Sequence, residues 1–261
     1  MCTTCGCGNV DHSHAHEHHH HHDHDHHHHD HGLSHRMLHL EQDILGENAK
    51  YAQQNRDFFA AHNIVALNLV SSPGSGKTTL LESTLQHLDV PTAVIEGDQQ
   101  TDLDAQRIRA TGTQAYQINT GKVCHLDAHQ IGHACEHLPL HQGGVLFIEN
   151  IGNLVCPALF DLGEHKRIVI LSVTEGDDKP LKYPEMFHGA DIMVINKIDL
   201  LPYVNFNVEK CIEYAKRIRH DIQVFQVSAT MGQGMEPWLG FLTTLTLTLS
   251  RQRERESKSA L

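Results

Sequence analysis

Short, mainly apolar runs recur from residue 64 onward: IVALNLV (64–70), TAVIEGD (92–98), AYQIN (115–119), VLFIEN (145–150), IVILSVT (168–174), IMVIN (192–196) and IQVFQVS (222–228). Unbroken apolar runs predict strands covered on both faces, because a strand with one wet face alternates instead. Segments of helical character separate most of them, starting with the amphipathic stretch Lys77–Leu88. This alternation predicts an α/β fold, a mainly parallel, doubly wound sheet with helices on both faces.

The two ends read differently. From Ser34 to about Ala61 apolar residues (Met37, Leu40, Ile44, Leu45, then Tyr51, Phe58 and Phe59) follow helical spacing. They predict a docking helix or helix pair ahead of the main fold. Near the C-terminus Trp238, Leu242, Leu245 and Leu249 also keep helical spacing. The Leu/Thr alternation there fits a strand as well, and a closing helix is the favoured reading. Residues 1–32 have no apolar face to bury, which predicts disorder in the absence of metal. The expected organisation is therefore a Cys/His-rich tail (1–32), a helical segment (33–62), a nucleotide-binding domain (63–250) and a polar C-terminal tail (251–261).

Composition narrows the partners. The formal charge is −12 with histidine neutral, which argues against nucleic acid, whose phosphates require a basic face. The 26 histidines would reverse part of that balance below about pH 6.5. No apolar run approaches the ~20 residues of a membrane helix. Seven cysteines without a secretory leader predict a reducing cytoplasm and thiols available to metal.

The stretch SSPGSGKTT (Ser71–Thr79) stands between the first strand and the first following helix. In that context it is a phosphate loop. Gly74, Ser75 and Gly76 let backbone amides face a phosphate, Lys77 reaches the β- and γ-phosphates, and Thr78, followed by Thr79, offers a hydroxyl to Mg²⁺. The helix N-terminus adds its dipole. The general pattern wants glycine where Ser71 stands. A P-loop NTPase is the fold this motif predicts.

NKID (Asn196–Asp199) follows a buried strand at the edge where open sheets bind ligands. Asp199 could accept two hydrogen bonds from guanine, a donor pair adenine lacks, so GTP is the expected nucleotide. Lys197 would lie along the base, and Asn196 would tie the loops together. Ser228 and Ala229, in the SAT stretch ending the last strand, are candidates for a further base-contacting loop. Glu149 and Gly152 form E-x-x-G at the end of VLFIEN. The acid can hold Mg²⁺ through water, and the glycine amide can sense the γ-phosphate. Asp98 ends the second strand and can serve Mg²⁺ or position the attacking water; its alternative reading is a helix N-cap. Lys77, Asp98 and Glu149 are thus the candidate catalytic residues, with Lys179 as a further charge that could act on the water.

The remaining chemistry is that of soft metals. Cys124 and His125 are neighbours at a presumed helix start, His129 follows four residues later on the face of His125, and Cys156 stands four residues beyond Gly152. A thiolate there would ride on the segment that moves when the γ-phosphate leaves. The alternative is that these cysteines are small buried hydrophobes. His133, His137 and His141 continue the spacing and read as solvated helix histidines, since such a stripe drifts around the helix. Cys135 and Cys211 read as packing residues. At the N-terminus Cys2, Cys5 and Cys7 form CxxCGC, and fourteen histidines lie between His12 and His31. Three thiolates and a terminal amine suit planar Ni²⁺ or tetrahedral Zn²⁺, with the histidines as a weaker reservoir.

Taken together, MCTTCGCG, LVSSPGSGKTT, VIEGDQQT, NTGKVCHLDA, LFIENIGNLVCPA, SVTEGDDKPLKYP and NKIDLLPY closely resemble the HypB family of nickel-incorporation GTPases, of the SIMIBI class. Serine at the first phosphate-loop position is usual in that family. The resemblance implies a GTP-dependent homodimer with Mg²⁺ and slow hydrolysis, and metal held at the dimer interface by Cys124, His125 and Cys156; the place of His129 varies. It also implies a HypA-like nickel chaperone as partner and the large subunit of a [NiFe] hydrogenase as destination. Nickel storage by the histidine run is an implied extra role. Two other readings remain: a urease-type accessory GTPase, and a metal-buffering protein whose nucleotide site is vestigial.

Overall fold

The computed structural model describes residues 31–98 and 102–259; the cysteine cluster at Cys2, Cys5 and Cys7 and the histidines before His31 lie outside them. The expected strands fall into one seven-stranded sheet: β1 (Val65–Ser71), β2 (Thr92–Asp98), β3 (Gln114–Asn119), β4 (Val145–Gly152), β5 (Lys166–Ser172), β6 (Ile192–Asn196) and β7 (Gln223–Gln226). Their spatial order is β3-β2-β4-β1-β5-β6-β7, and every pairing is parallel. The order reverses direction around β1, so its carboxyl end opens into the crevice where such sheets hold ligands.

Side chains alternate across β1 between two cores. Val65, Leu67 and Leu69 face one core with Leu80, Leu81 and Leu85 of α2 (Lys77–Leu85) and with Trp238 and Leu242 of α9 (Met235–Ser259). Ala66 faces the other with Phe59 of α1 (His31–Ala61) and Ile131 and Ala134 of α4 (Ala128–Glu136). A third core beneath β5 and β6 is closed by α7 (Pro184–Gly189) and α8 (Val208–Ile218). The short helices α3 (Leu103–Ala110), α5 (Cys156–Leu159) and α6 (Lys179–Lys182) complete the α-helices among the described residues, and a 3-10 helix spans Ile198–Tyr203.

The C-terminal Leu/Thr repeat is helical because its apolar face, with Trp238 and Leu242, packs into the first core, while its threonines satisfy their hydroxyls within the helix. Thr243, Thr244 and Thr248 donate to the carbonyls four residues back at 3.0, 2.8 and 2.8 Å. Trp238 anchors that helix, donating from Nε1 to Thr84 Oγ1 at 2.9 Å. The helix runs without a break across position 250. None of the described helices is long and apolar enough to cross a membrane.

The N-terminal helix is one continuous element, not a pair. Polar groups dock it against the loops that carry the cysteines. Asn48 accepts from the Ala128 amide (2.9 Å) and donates to the Asp161 carbonyl (2.8 Å). Asn55 donates to the carbonyls of Ala128 (2.7 Å) and Leu162 (3.0 Å), and Arg56 grips both oxygens of Asp161. The approach is close enough that Gly163, at φ +86°, has no room for a side chain: a Cβ there would lie 2.5 Å from the Ala52 carbonyl.

Candidate functional site

The phosphate loop leaves β1 at Ser71 and enters α2 at Lys77. It borders a cleft of about 570 Å³ lined by Ser71–Thr79, Asp98, Asp104, Arg107, Ile151, Gly152 and Lys197. Gly76 is needed twice over. Its φ is +88°, and a Cβ there would meet the Asn196 amide nitrogen at 2.7 Å. Lys77 Nζ lies 2.8 Å from Glu149 Oε1, and Thr78 Oγ1 donates to the same oxygen at 2.6 Å. Lys179 reaches the loop from α6, its Nζ 3.2 Å from Ser72 Oγ.

Glu149 is fully buried, and Glu96 of β2 stands beside it in register. With Asp104 they bring carboxylate oxygens within 4.8 Å of one another. Glu149 Oε2 and Glu96 Oε2 are buried without hydrogen-bond partners. An all-oxygen donor set with orphaned carboxylate oxygens fits a hard cation. Asp98 lines the cleft but is not part of this trio; its carbonyl accepts from the Thr120 amide at 3.0 Å. Glu96 and Asp104 carry no motif signature. The strand pattern alone places Glu96 two residues before Asp98, with its side chain on the same face of the sheet.

Burial, and then the charge of Glu149, push the Glu96 carboxyl up to about 8 from 4.5, against the opposing pull of Lys77. The native state then holds a proton that the unfolded chain releases above about 4.5. The group's stabilising contribution is full below that pH and is lost as pH rises through about 8. Glu96→Gln removes this slope. Without nucleotide or divalent cation, the variant should gain roughly 2 kcal/mol relative to wild type between about pH 6 and 8.5, as read by urea unfolding. Parallel pH profiles would contradict the assignment.

A second cavity of about 200 Å³ continues from the cleft, lined by Gly76, Thr79, Asn196, Lys197, Asp199, Leu200, Ala229 and Thr230. Asn196 ties its walls together. It donates to the Ser75 carbonyl (3.0 Å) and accepts from the amides of Lys197 (2.8 Å) and Ala229 (3.3 Å). Lys197 has φ +61° and donates from Nζ to the Gly74 carbonyl at 2.7 Å. Asp199 Oδ1 is buried with no partner. Ser228 turns inward instead, holding the Met231 amide at 3.2 Å.

The third constellation lies beyond the Glu149–Gly152 segment. Cys124, His125 and Cys156 present their donor atoms within 4.8 Å of one another. The Cys124 and Cys156 sulfurs are 2.8 Å apart, well beyond the ~2.05 Å of a disulfide. His125 stacks on Phe160 with ring centroids 3.9 Å apart. Its Nδ1 is buried with no partner, and burial pulls its pKa down against the charge of Asp127. A neutral imidazole beside two thiols is a donor set for Ni²⁺ or Zn²⁺.

His129 is not brought to that group. Asp127 is the N-cap of α4, its backbone extended and its side chain accepting from the Gln130 amide. His125 therefore precedes the helix, and the four-residue spacing does not put the two histidines on one face. His129 meets Tyr51 edge-on at 4.9 Å and lines a separate cavity with Glu47 and Asn48. Cys135 and Cys211 are buried, their thiols pushed up to about 12 by burial, as packing residues would be.

One link had no sequence signal. Asn153, next to Gly152, donates from Nδ2 to the Cys124 carbonyl at 3.3 Å and accepts from the Val155 amide at 2.9 Å. Asn150, next to Glu149, accepts from the Leu126 amide at 3.3 Å. The segment that borders the phosphate cleft thus holds the loop of Cys124 and His125 at two points.

The family model described as CobW/HypB/UreG, nucleotide-binding domain, matches residues 65–226. Hydrogenase maturation factor HypB of Azotobacter vinelandii is 63% identical over 214 residues, covering 81% of this chain and 71% of that protein. HypB of Escherichia coli K12 is 60% identical over 216 residues, covering 82% and 74%. Among solved structures, Helicobacter pylori HypB in complex with nickel matches with a TM-score of 0.75 at 40% identity, covering 77% of this chain and 96% of that one. HypB of Archaeoglobus fulgidus matches with a TM-score of 0.72 at 41% identity, covering 77% and 99%. The phosphate loop between β1 and α2 lies inside the matched region, and the likeness runs through the whole sheet: this chain is a P-loop nucleotide-binding protein and belongs to the HypB family of hydrogenase maturation factors.

Proposed function

We propose that the chain is a GTP-hydrolysing nickel metallochaperone that delivers Ni²⁺ to the large subunit of a [NiFe] hydrogenase. The observation that carries this reading is the tether from Gly152 through Asn153, hydrogen-bonded to the Cys124 carbonyl, to Cys156 and its cluster with Cys124 and His125. The nickel-bound relative supports the choice of cargo.

In the hydrolytic step water adds to the γ-phosphorus, the β–γ bridging bond breaks, and GDP and phosphate leave. Lys77 exchanges Glu149 for the β- and γ-phosphates. The Thr78 hydroxyl and Glu149, with Asp98, Glu96 and Asp104 around them, would hold Mg²⁺, which neutralises phosphate charge when bound. Lys179 adds a further positive charge at the loop. The Gly152 amide senses the γ-phosphate, and its release relaxes the segment Gly152–Cys156. Cys124, His125 and Cys156 then lose their common geometry and their hold on the ion. A hundredfold weakening requires only ~2.7 kcal/mol.

On this reading the interior site takes Ni²⁺ or Zn²⁺, the protein works in the cytoplasm as a GTP-dependent homodimer, and the N-terminal cysteines and histidines gather and store nickel. A HypA-like nickel chaperone is the expected partner. No observation here favours the urease-type or buffering alternatives over this one. Base selection has its own test. The unpartnered Asp199 oxygen is placed to accept from guanine, so Asp199→Asn should reduce the preference for GTP over ATP at least tenfold in competition binding, on the order seen when a built hydrogen bond is lost. An unchanged preference would remove Asp199 from the base site.

A further inference from the structure

Helix α4 begins at the Asp127 cap, two residues beyond His125, and its last turn together with the C-cap His137 carries a separate group of donors. His133, Glu136 and His137 stand at i, i+3 and i+4, positions that lie one above another on a helix. Their ligand atoms come within 4.8 Å of one another, and all three residues are exposed. His133 Nδ1 is 3.6 Å from Glu136 Oε2, and the two imidazoles meet edge-on with centroids 4.7 Å apart. His137 is held from its other side as well. Tyr116, on edge strand β3, stacks on it at 5.4 Å with the rings 9° from parallel. A ring restrained before binding loses less freedom when it binds. The drift that separates a long four-residue stripe is small over a single turn, so these three converge while His129 and His141 fall outside the group.

We propose that His133, Glu136 and His137 form a second metal site, at the surface, for a late first-row divalent cation such as Ni²⁺ or Zn²⁺. Two imidazoles and one carboxylate suit these ions, and water completes the coordination. The site differs in kind from the interior one. It has no sulfur, it is open to solvent, and its ligands exchange without disturbing a buried core. It shares its donor chemistry with the histidine run, and it lies on the helix that frames the interior site. His133 is five residues past Ala128, about 7–8 Å along the helix axis. An exchangeable station there would accept an ion from imidazoles before thiolates take it, by ligand exchange with no redox change. The site stands on its own geometry and does not depend on nucleotide gating.

The test uses the full chain and Ni²⁺ alone. Paramagnetic broadening of backbone amide signals gives a reading local to α4, separate from metal held elsewhere. Ni²⁺ should broaden the signals of residues 133–137 and of Tyr116 in the wild-type protein. His133→Gln with His137→Gln should raise the Ni²⁺ concentration needed at least tenfold, Glu136→Gln should raise it less, and Cys156→Ala should leave it unchanged. All three surface residues are solvent-exposed, and far-ultraviolet circular dichroism checks that the helix persists. An α4 response in the double variant equal to wild type, or no wild-type response at millimolar Ni²⁺, would overturn the proposal.

Discussion

Lys77→Ala should reduce GTP turnover by on the order of 10²–10³-fold, the loss that follows removal of one well-placed donor from a developing charge. The ammonium lies 2.8 Å from Glu149 Oε1, at the floor of the cleft, where it can pass to phosphate oxygens with little rearrangement. The substitution has a second consequence that separates it from a simple binding defect. Glu149 is fully buried, and its other oxygen has no partner. Without Lys77 that carboxylate retains only the Thr78 hydroxyl. Leaving one member of a buried ion pair costs about 3 kcal/mol, so the nucleotide-free variant should also unfold at lower denaturant. Lys77→Arg retains the charge and should recover stability more than turnover, because a planar fork does not replace a compact ammonium in the loop. Steady-state phosphate release with urea unfolding checks both. Turnover unaffected by Lys77→Ala would favour a protein whose nucleotide site is vestigial.

Cys156→Ala should weaken Ni²⁺ binding at the interior site at least a hundredfold, or ~2.7 kcal/mol, because it removes one of the two sulfurs that stand 2.8 Å apart. The residue is almost fully buried, and water is a poor substitute for its thiolate. Asn153→Ala separates holding from gating. It leaves every donor of the cluster in place and removes the hydrogen bond to the Cys124 carbonyl together with the one accepted from the Val155 amide. Its Ni²⁺ affinity with GDP should therefore change little, while the difference between nucleotide states should shrink. Both affinities are read by competition with a coloured chelator in a chain lacking residues 1–32, so that the histidine run does not report. Far-ultraviolet circular dichroism of the shortened chain checks that its helices persist.

Local sequence carried much of this architecture. Strands at 92–98 and 192–196 stand where their apolar runs ended, because a buried parallel strand has to be apolar on both faces. The phosphate loop was legible because strand, glycines and helix occur in one short window. Contacts made across the sheet were not. Glu96, Asp104 and Glu149 come from three elements, and only strand register sets Glu96 beside Glu149. Arg107 reaches the phosphate loop from α3, donating to Thr79 Oγ1 at 3.1 Å, with nothing in its neighbours to announce it. The placement of His129 shows the converse. Spacing four implies a shared face only inside a helix, and the Asp127 cap starts that helix after His125. Asn153 carries no such signal, because its partners are backbone groups, which every residue has.

The geometry of the interior ion site is expected to follow the nucleotide. The most direct measurement is the Ni²⁺ dissociation constant of the chain lacking residues 1–32, taken with GDP and with a non-hydrolysable GTP analogue, each with Mg²⁺. The expected result is a constant at least tenfold different between the two states, with the tighter value in the triphosphate form, and a ratio that falls toward unity in Asn153→Ala. Equal constants in the two nucleotide states of the wild-type sequence would contradict it.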